Sequence, residues 1–368
     1  MSNAVYEKTL EYAKKFSKYK SFYIPHRNLL FSKLGIGTFT PEPYKEENYL
    51  FSFKEPLVKA IQSGINHIDT ASNYRYGQSE KEIGRVLESL SGAVDRKSLI
   101  IASKGGFIPL EFPFPPNPYT WIDDHIISAG LALSEDIELD QHCMTPDFLE
   151  WSCRRSLKNL NIDKLDIYYL HNPEMHLARL GYDGFYKNIY AIFERFEELA
   201  DEGLFANYGV AVWNAFITNT TEHIELEKLV SIAKEVGGEN NRFAYIQTPF
   251  NLAKTNIYTQ ETQTVNGDKC TLLQAAHRLG IGVITSSSLL QMHLFKKSFT
   301  PEVGIVLDES MTLESDIQLA LQFVRSTPGI VSSLFSTRWQ DHVEQNCKIA
   351  SIAPTNRAKY DLLYRLPR

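Results

Sequence analysis

Asp69, Tyr74, Lys104 and His171 are the residues of this 368-residue chain whose types could do chemistry together. Adding hydride to a carbonyl carbon leaves negative charge on oxygen, so the reaction needs a proton donor whose pKa is not far above the working pH. A tyrosine, at about 10, is usable only if something favours its phenolate. The Lys104 ammonium would do that electrostatically, and the Asp69 carboxylate would hold and polarise the lysine. His171 would add a donor near the carbonyl oxygen, orienting it and stabilising developing charge. Taken singly, each has a plainer explanation: a helix cap, a core aromatic, a solvated lysine, a backbone-bonded histidine. They make a site only if the fold brings them together.

The pattern of elements suggests that it does. Short β-branched runs alternate with longer amphipathic stretches, which is the signature of βα units around a parallel sheet. Strands are expected at 34–39, 65–69, 98–104, 164–171, 206–212, 243–247, 282–286 and 330–336. Helices are expected at 54–63, 79–90, 146–160, 188–202, 224–236, 271–279, 314–325 and 339–350, each with apolar residues three and four apart. Eight such pairs close a (β/α)8 TIM barrel, read as one domain over 1–368 with an N-terminal extension at 1–30. Thr145-Pro146-Asp147 reads as a cap followed by a proline at the first helical position, and Ser79 with Glu82 as a capping box. An open doubly wound sheet would show G-x-G-x-x-G after its first strand; here Gly35-Ile36-Gly37 runs into Thr38-Phe39-Thr40.

In this barrel Asp69, Lys104 and His171 end the second, third and fourth strands, on the face where barrel active sites are built. Long loops follow the third strand (105–144) and the seventh (292–312) on the same face. The first carries Pro109, Pro113, Pro115, Pro116 and Pro118 among aromatics, so it cannot be one continuous helix. Its Phe107, Tyr119 and Trp121 are candidate substrate contacts, an apolar or sugar-stacking wall.

Six motifs in order resemble the aldo/keto reductase family over nearly the whole chain. They are Leu34-Gly-Ile-Gly-Thr38, Asp69-Thr-Ala-Ser-Asn-Tyr74, Gly77-Gln-Ser-Glu80, Ala102-Ser-Lys104, Asp166-Ile-Tyr-Tyr-Leu-His171 and His342-Val-Glu-Gln-Asn346. The resemblance implies a metal-free carbonyl/alcohol redox enzyme using NADP, with NAD as the alternative, and a tetrad at Asp69, Tyr74, Lys104 and His171. Tyr76 competes as proton donor, but the five-residue step from Asp69 favours Tyr74. The family's carboxamide-binding Gln matches Gln247, while its Ser-Asn pair aligns with Ala211-Val212, followed by Trp213 and Asn214. The stacking aromatic after the seventh strand is replaced by hydroxyls at Thr285-Ser286-Ser287-Ser288, with Ser286, Leu289 and Gln291 fitting the pyrophosphate side. Gly37 and Thr38 join the implied cofactor contacts. At the last helix, Ser336 and Arg338 are expected to receive phosphate and Gln345-Asn346 the adenine. The variant nicotinamide positions motivate a competing reading, a cofactor-binding regulatory or scaffold protein of the same fold with little turnover.

Composition is ordinary for a globular chain: 43% hydrophobic, 22% charged, formal net charge -6. There is no basic surplus for nucleic acid, no apolar run long enough for a membrane span, and no apolar leader in the first twenty residues. A small-molecule carbonyl or sugar substrate is the expected partner, in the cytoplasm. Cys143, Cys153, Cys270 and Cys347 form no C-x-x-C pair, and His142 beside Cys143 reads as an isolated side chain, not a metal ligand. A metal-dependent hydrolase would need clustered ligands at strand ends, which Asp69 and His171 beside Lys104 do not make.

Overall fold

Eight parallel strands follow one another in chain order around a closed barrel: β1 (Leu34–Gly37), β2 (His67–Asp69), β3 (Ile100–Gly105), β4 (Leu165–His171), β5 (Phe205–Ala211), β6 (Phe243–Pro249), β7 (Gly282–Ser286) and β8 (Ile330–Phe335). β8 closes on β1 through Ser333 with Leu34, Leu334 with Gly35 and Phe335 with Ile36. The computed structural model describes residues 2–40, 51–218, 220–296 and 299–365. Met1 of the expected extension, Lys297 and Ser298 of the expected loop 292–312, and the expected domain's end at 366–368 lie outside the described residues.

The outer layer is α1 (Lys54–Gln62), α2 (Gln78–Ser89), α3 (Pro146–Leu160), α4 (Leu177–Asp201), α5 (Leu226–Gly237), α6 (Leu272–Leu279), α7 (Asp316–Ser326) and α8 (Gln340–Cys347). This is the expected (β/α)8 barrel. α4 begins earlier than its periodicity suggested, and Gly181, at φ 64° and ψ 176°, breaks it into two segments. The Thr145 cap forms: its Oγ1 accepts from the Phe148 N–H at 3.3 Å. The Ser79–Glu82 capping box does not. α2 starts at Gln78 after a left-handed Gly77, Ser79 donates to the Thr38 carbonyl, and Glu82 pairs with Arg75. A capping box forms instead at α6, between Thr271 and Gln274.

Period-two alternation decides what lines the barrel. Leu34, Ile36, Ile68, Ile101, Tyr168, Leu170 and Val210 join the core under the helices. Their neighbours Ile100, Ala102, Ile167, Tyr169 and Ala211 form a second cluster inside the barrel with Tyr245, Ile284 and Leu334. Continuing the inward register, β2 ends on Asp69, β3 delivers Lys104 and β4 delivers His171. Gly209 makes room for the large inward rings, since a Cβ there would lie 2.2 Å from the Tyr245 carbonyl oxygen and 2.8 Å from the Tyr169 ring.

The N-terminal extension closes the opposite end. A helix (Tyr6–Lys14) leads to a hairpin, Tyr23–His26 paired with Leu29–Ser32. Phe31 of that hairpin packs edge-on to His67 and against Tyr245, plugging the barrel below the site. The loop after β3 is not one helix. It contains a short helix (Pro118–Ile122), a π-turn (Asp123–Ile127) and a two-residue hairpin, Ile137–Glu138 with His142–Cys143. No helix among the described residues is long and apolar enough to cross a membrane.

Candidate active site

β2 and β3 hold the ion pair at the bottom of the mouth. Lys104 Nζ donates to Asp69 Oδ1 and, at 2.8 Å, to the Thr70 carbonyl; both side chains are buried. Gln247, from the end of β6, donates to the other Asp69 oxygen at 2.8 Å. A buried carboxylate is tolerated only when its lone pairs are matched, and these contacts do that. Burial alone would lower the Lys104 pKa, but Asp69 and Tyr74 outweigh it and hold the ammonium above its usual range.

Tyr74 arrives by a strained turn. The chain beyond β2 stays along β3, with the Thr70 N–H on the Ala102 carbonyl and the Ser72 N–H on the Lys104 carbonyl. Arg75 (φ 50°), Tyr76 (φ 53°) and Gly77 (φ 78°) are then successive left-handed residues. Two non-glycine residues in that region cost energy and persist only where surroundings over-determine them. Arg75 supplies that: it pairs with Glu82 at 2.7 Å, donates to the Phe51 carbonyl and lies over the Phe51 and Phe53 rings. Tyr76 turns outward onto Phe114 at 4.3 Å between centroids. Tyr74 turns inward, with Lys104 Nζ 5.0 Å from its ring centre and the His171 ring 6.0 Å away. Burial raises the Tyr74 pKa, and the charge of the adjacent Lys104 ammonium opposes that rise.

His171 ends β4. Burial first, then Lys104 and His142, hold its pKa well below 6.5, so the imidazole is neutral. Its Nδ1 is buried without a hydrogen-bond partner. Phe107 packs edge-on against it at 4.9 Å. Of the other two expected substrate contacts, Tyr119 is 65% exposed, and Trp121 stacks on His125 at 4.3 Å beneath Arg155 of α3.

The motif Gly77-Gln78-Ser79-Glu80 ties this turn to its surroundings. Glu80 is buried, accepts from Ser103 at 2.6 Å and from Asn159 at 2.9 Å, and so joins α2 to β3 beside Lys104 and to α3. Its pKa is raised by burial.

The expected cofactor residues stand at or beyond the ends of β1, β5, β6, β7 and β8. Gly37 and Thr38 end β1; the Thr38 hydroxyl donates to Thr70 Oγ1 at 2.8 Å. Ala211 and Val212 are buried, while Trp213 is 46% exposed. Residues missed in the sequence cluster here. Asn172, next to His171, can donate its amide to the Ala211 carbonyl at 3.2 Å and accept from the Trp213 indole at 3.3 Å. Glu174 accepts from the Trp213 backbone N–H at 2.8 Å, its second oxygen is buried without a partner, and burial pushes its pKa up to about 7. Lys254, beyond β6, donates to the Asn214 side chain. Only adjacency to His171 and Trp213 could have singled these out.

Beyond β7, Ser286, Leu289 and Gln291 stand on a loop whose Ser287, Leu290, Gln291 and Met292 are all left-handed. Ser288 of this loop is buried with an unpartnered hydroxyl. Ser336 donates to the Phe39 carbonyl, and exposed Arg338 lies over the Phe51 ring at 4.9 Å. α8 then begins at Gln340 with no side-chain cap on its first N–H groups; Gln345 is exposed and Asn346 buried on it. Among the described residues, an unpartnered hydroxyl, an uncapped helix start and an exposed cation suit a phosphate-bearing ligand.

Parallel barrel, inward ion pair, inward tyrosine and neutral histidine at one mouth define the class, a (β/α)8 barrel with a buried ionic and aromatic cluster at the ends of its strands. The aldo/keto reductase family model matches residues 33–304, and the chain belongs to that family. It is similar to glycerol 2-dehydrogenase (NADP(+)) of Hypocrea jecorina, 26% identical over 217 residues, 55% of this chain and 52% of that protein. Protein tas of Escherichia coli is 25% identical over 359 residues, covering 88% of this chain and 90% of it. The chain spans about half the length of the first curated relatives it matches. An aldo/keto reductase of Klebsiella pneumoniae, solved with NADP and acetate, superposes with TM-score 0.59 at 19% identity, covering 95% of this chain and 96% of that one.

Proposed function

We propose that the protein is an NAD(P)H-dependent oxidoreductase that reduces an aldehyde or ketone, or oxidises the corresponding alcohol or sugar lactol. The observation that carries this reading is the Lys104 ammonium, held by Asp69 and lying against Tyr74. NADP is the cofactor and NAD the alternative, supported by Arg338 at the start of α8 and by the relatives named above. The reading has the chain act as one barrel domain, in the cytoplasm, on a small molecule. Four free and buried cysteines accord with a reducing compartment.

When bound, the nicotinamide supplies the hydride. Tyr74 gives the proton to the substrate oxygen, and Lys104 makes that transfer cheaper by favouring the phenolate left behind. Gln247 holds Asp69, the lysine's partner, so the ammonium stays beside Tyr74. His171 is neutral with a partnerless buried Nδ1; a buried N–H without an acceptor is costly, so its single proton belongs on Nε2, as donor to the carbonyl oxygen. Phe107 keeps water from that side.

Protein mixed with NADPH and 4-nitrobenzaldehyde is expected to consume cofactor through many turnovers. Tyr74→Phe should lower kcat by about 100-fold or more with cofactor binding retained. Unchanged turnover in that variant would remove Tyr74 from the role, and stoichiometric binding without turnover across aldehydes would favour the scaffold.

A further inference from the structure

A chain of hydrogen bonds runs behind His171, away from the mouth. Glu138 and His142 face each other across the small hairpin in the loop after β3. Glu138 binds Arg179 at 3.0 Å. Arg179 Nη2 donates to His176 Nδ1 at 3.0 Å, the His176 and His142 rings meet at 2.9 Å between Nε2 and Nδ1, and His142 Nε2 reaches the His171 carbonyl at 2.6 Å. His142 and His176 are buried.

The ends of this chain leave it one direction. A guanidinium has no acceptor, so it must donate to His176 Nδ1, which places the His176 proton on Nε2. That N–H must then donate to His142 Nδ1, which places the His142 proton on Nε2, facing a carbonyl that can only accept. Each link sets the tautomer of the next. Burial holds His142 at about 3 and His176 at about 4, so both stay neutral at ordinary pH.

The bond lands where the backbone needs it. Asn172, immediately after His171, is left-handed at φ 47°, and its N–H donates to the Ala211 carbonyl at 2.7 Å. Gly106 passes beside the His142 contact; a Cβ there would lie 2.6 Å from His142 Nε2 and 2.7 Å from the His171 oxygen, intruding on donor and acceptor together. Phe107 packs edge-on to both His142 and His171.

We propose that Glu138, Arg179, His176 and His142 form a one-way hydrogen-bond chain that fixes the main chain of His171 and so aims its imidazole at the substrate oxygen. They are positioning residues, and the inference rests on the proposed reductase reading only for its kinetic consequence. The loop after β3 thereby acts on His171 from behind as well as through Phe107 at the mouth.

The test has two readouts. With NADPH and 4-nitrobenzaldehyde, His142→Phe should lower kcat about tenfold or more while the KM for NADPH stays within about twofold. His142→Gln, which keeps a donor near Nε2, should recover much of the loss. Gly106→Ala breaks the same bond, so the double variant should be no worse than the worse single. Arg179→Met changes a partly exposed side chain and leaves the buried imidazoles in place, so it serves if the His142 variants fail to fold. Independently of activity, nitrogen-15 NMR of the histidines should show His142 and His176 protonated on Nε2, with the His171 ring signals shifted in Arg179→Met. A proton on Nδ1 of either ring, or unchanged His171 signals and kcat in folded Arg179→Met and His142→Phe, would overturn the proposal. If wild-type protein reduces no aldehyde while the tautomers are as stated, the reductase reading fails and the hydrogen-bond chain stands.

Discussion

Arg75 and Glu82 pair at 2.7 Å with side chains only 4% and 12% exposed, and this pair holds the left-handed turn that carries Tyr74. Replacing Glu82 by Leu removes this buried contact from the Arg75 guanidinium. A hydrogen bond to a charged group contributes about 1.5–3 kcal/mol, so urea denaturation should show a loss in that range. Because the turn is also what places Tyr74, kcat should fall about tenfold or more, beyond any change in KM for NADPH. Unaltered kcat in a destabilised variant would mean that Tyr74 is held by its ring contacts alone.

Lys104→Met should destabilise strongly as well as inactivate. It leaves the Asp69 carboxylate buried with Gln247 as its remaining side-chain donor, and breaking a buried pair costs about 3–5 kcal/mol. Adding Asp69→Asn removes the stranded charge, so the double variant should be more stable than Lys104→Met yet equally inactive. Equal stability of the two, measured in urea, would show that water reaches Asp69.

Glu174 predicts a specific pH dependence of stability. Burial raises its pKa from the ordinary 4.5 to about 7 in the folded protein. Between those values the folded state keeps a proton that the unfolded state has lost. The group's contribution is therefore fully present below pH 4.5, declines as pH rises toward 7, and is level above that. Glu174→Gln should flatten this part of the profile, read as the difference in Tm between wild type and variant across pH 4.5 to 7. Parallel curves would place the Glu174 carboxyl in water.

Arg338 is the cation expected at the 2′-phosphate of NADP. Arg338→Ala should raise the KM for NADPH by about tenfold, the equivalent of one lost charge-assisted contact, and leave that for NADH nearly unchanged. Equal effects on both cofactors would assign Arg338 to the shared pyrophosphate or to packing on Phe51.

The barrel was legible because its signals are local and repeated. Strand and helix periodicities give eight alternating pairs, and strand-end position on the C-terminal face puts Lys104 and His171 at the mouth. The Thr145 cap was legible for the same reason. The Ser79–Glu82 box was misread because those side chains found long-range partners, Thr38 and Arg75, that a local rule does not weigh.

Sequence by itself determined the fold, the family and the placement of Asp69, Lys104 and His171 at adjacent strand ends of one mouth, since these follow from pattern and strand-end position. Tertiary structure decided the rest. Tyr74, and not Tyr76, faces Lys104 because consecutive left-handed residues reverse the chain between them, a conformation held by Arg75 and its distant partners. Phe107 meets His171 while Trp121 packs on His125 and Arg155, because the loop after β3 folds on its own hairpin. The contacts among His142, His176 and Arg179 arise only when that hairpin docks on the entry to α4, since hydrogen bonds depend on distances that residue types and spacing do not specify.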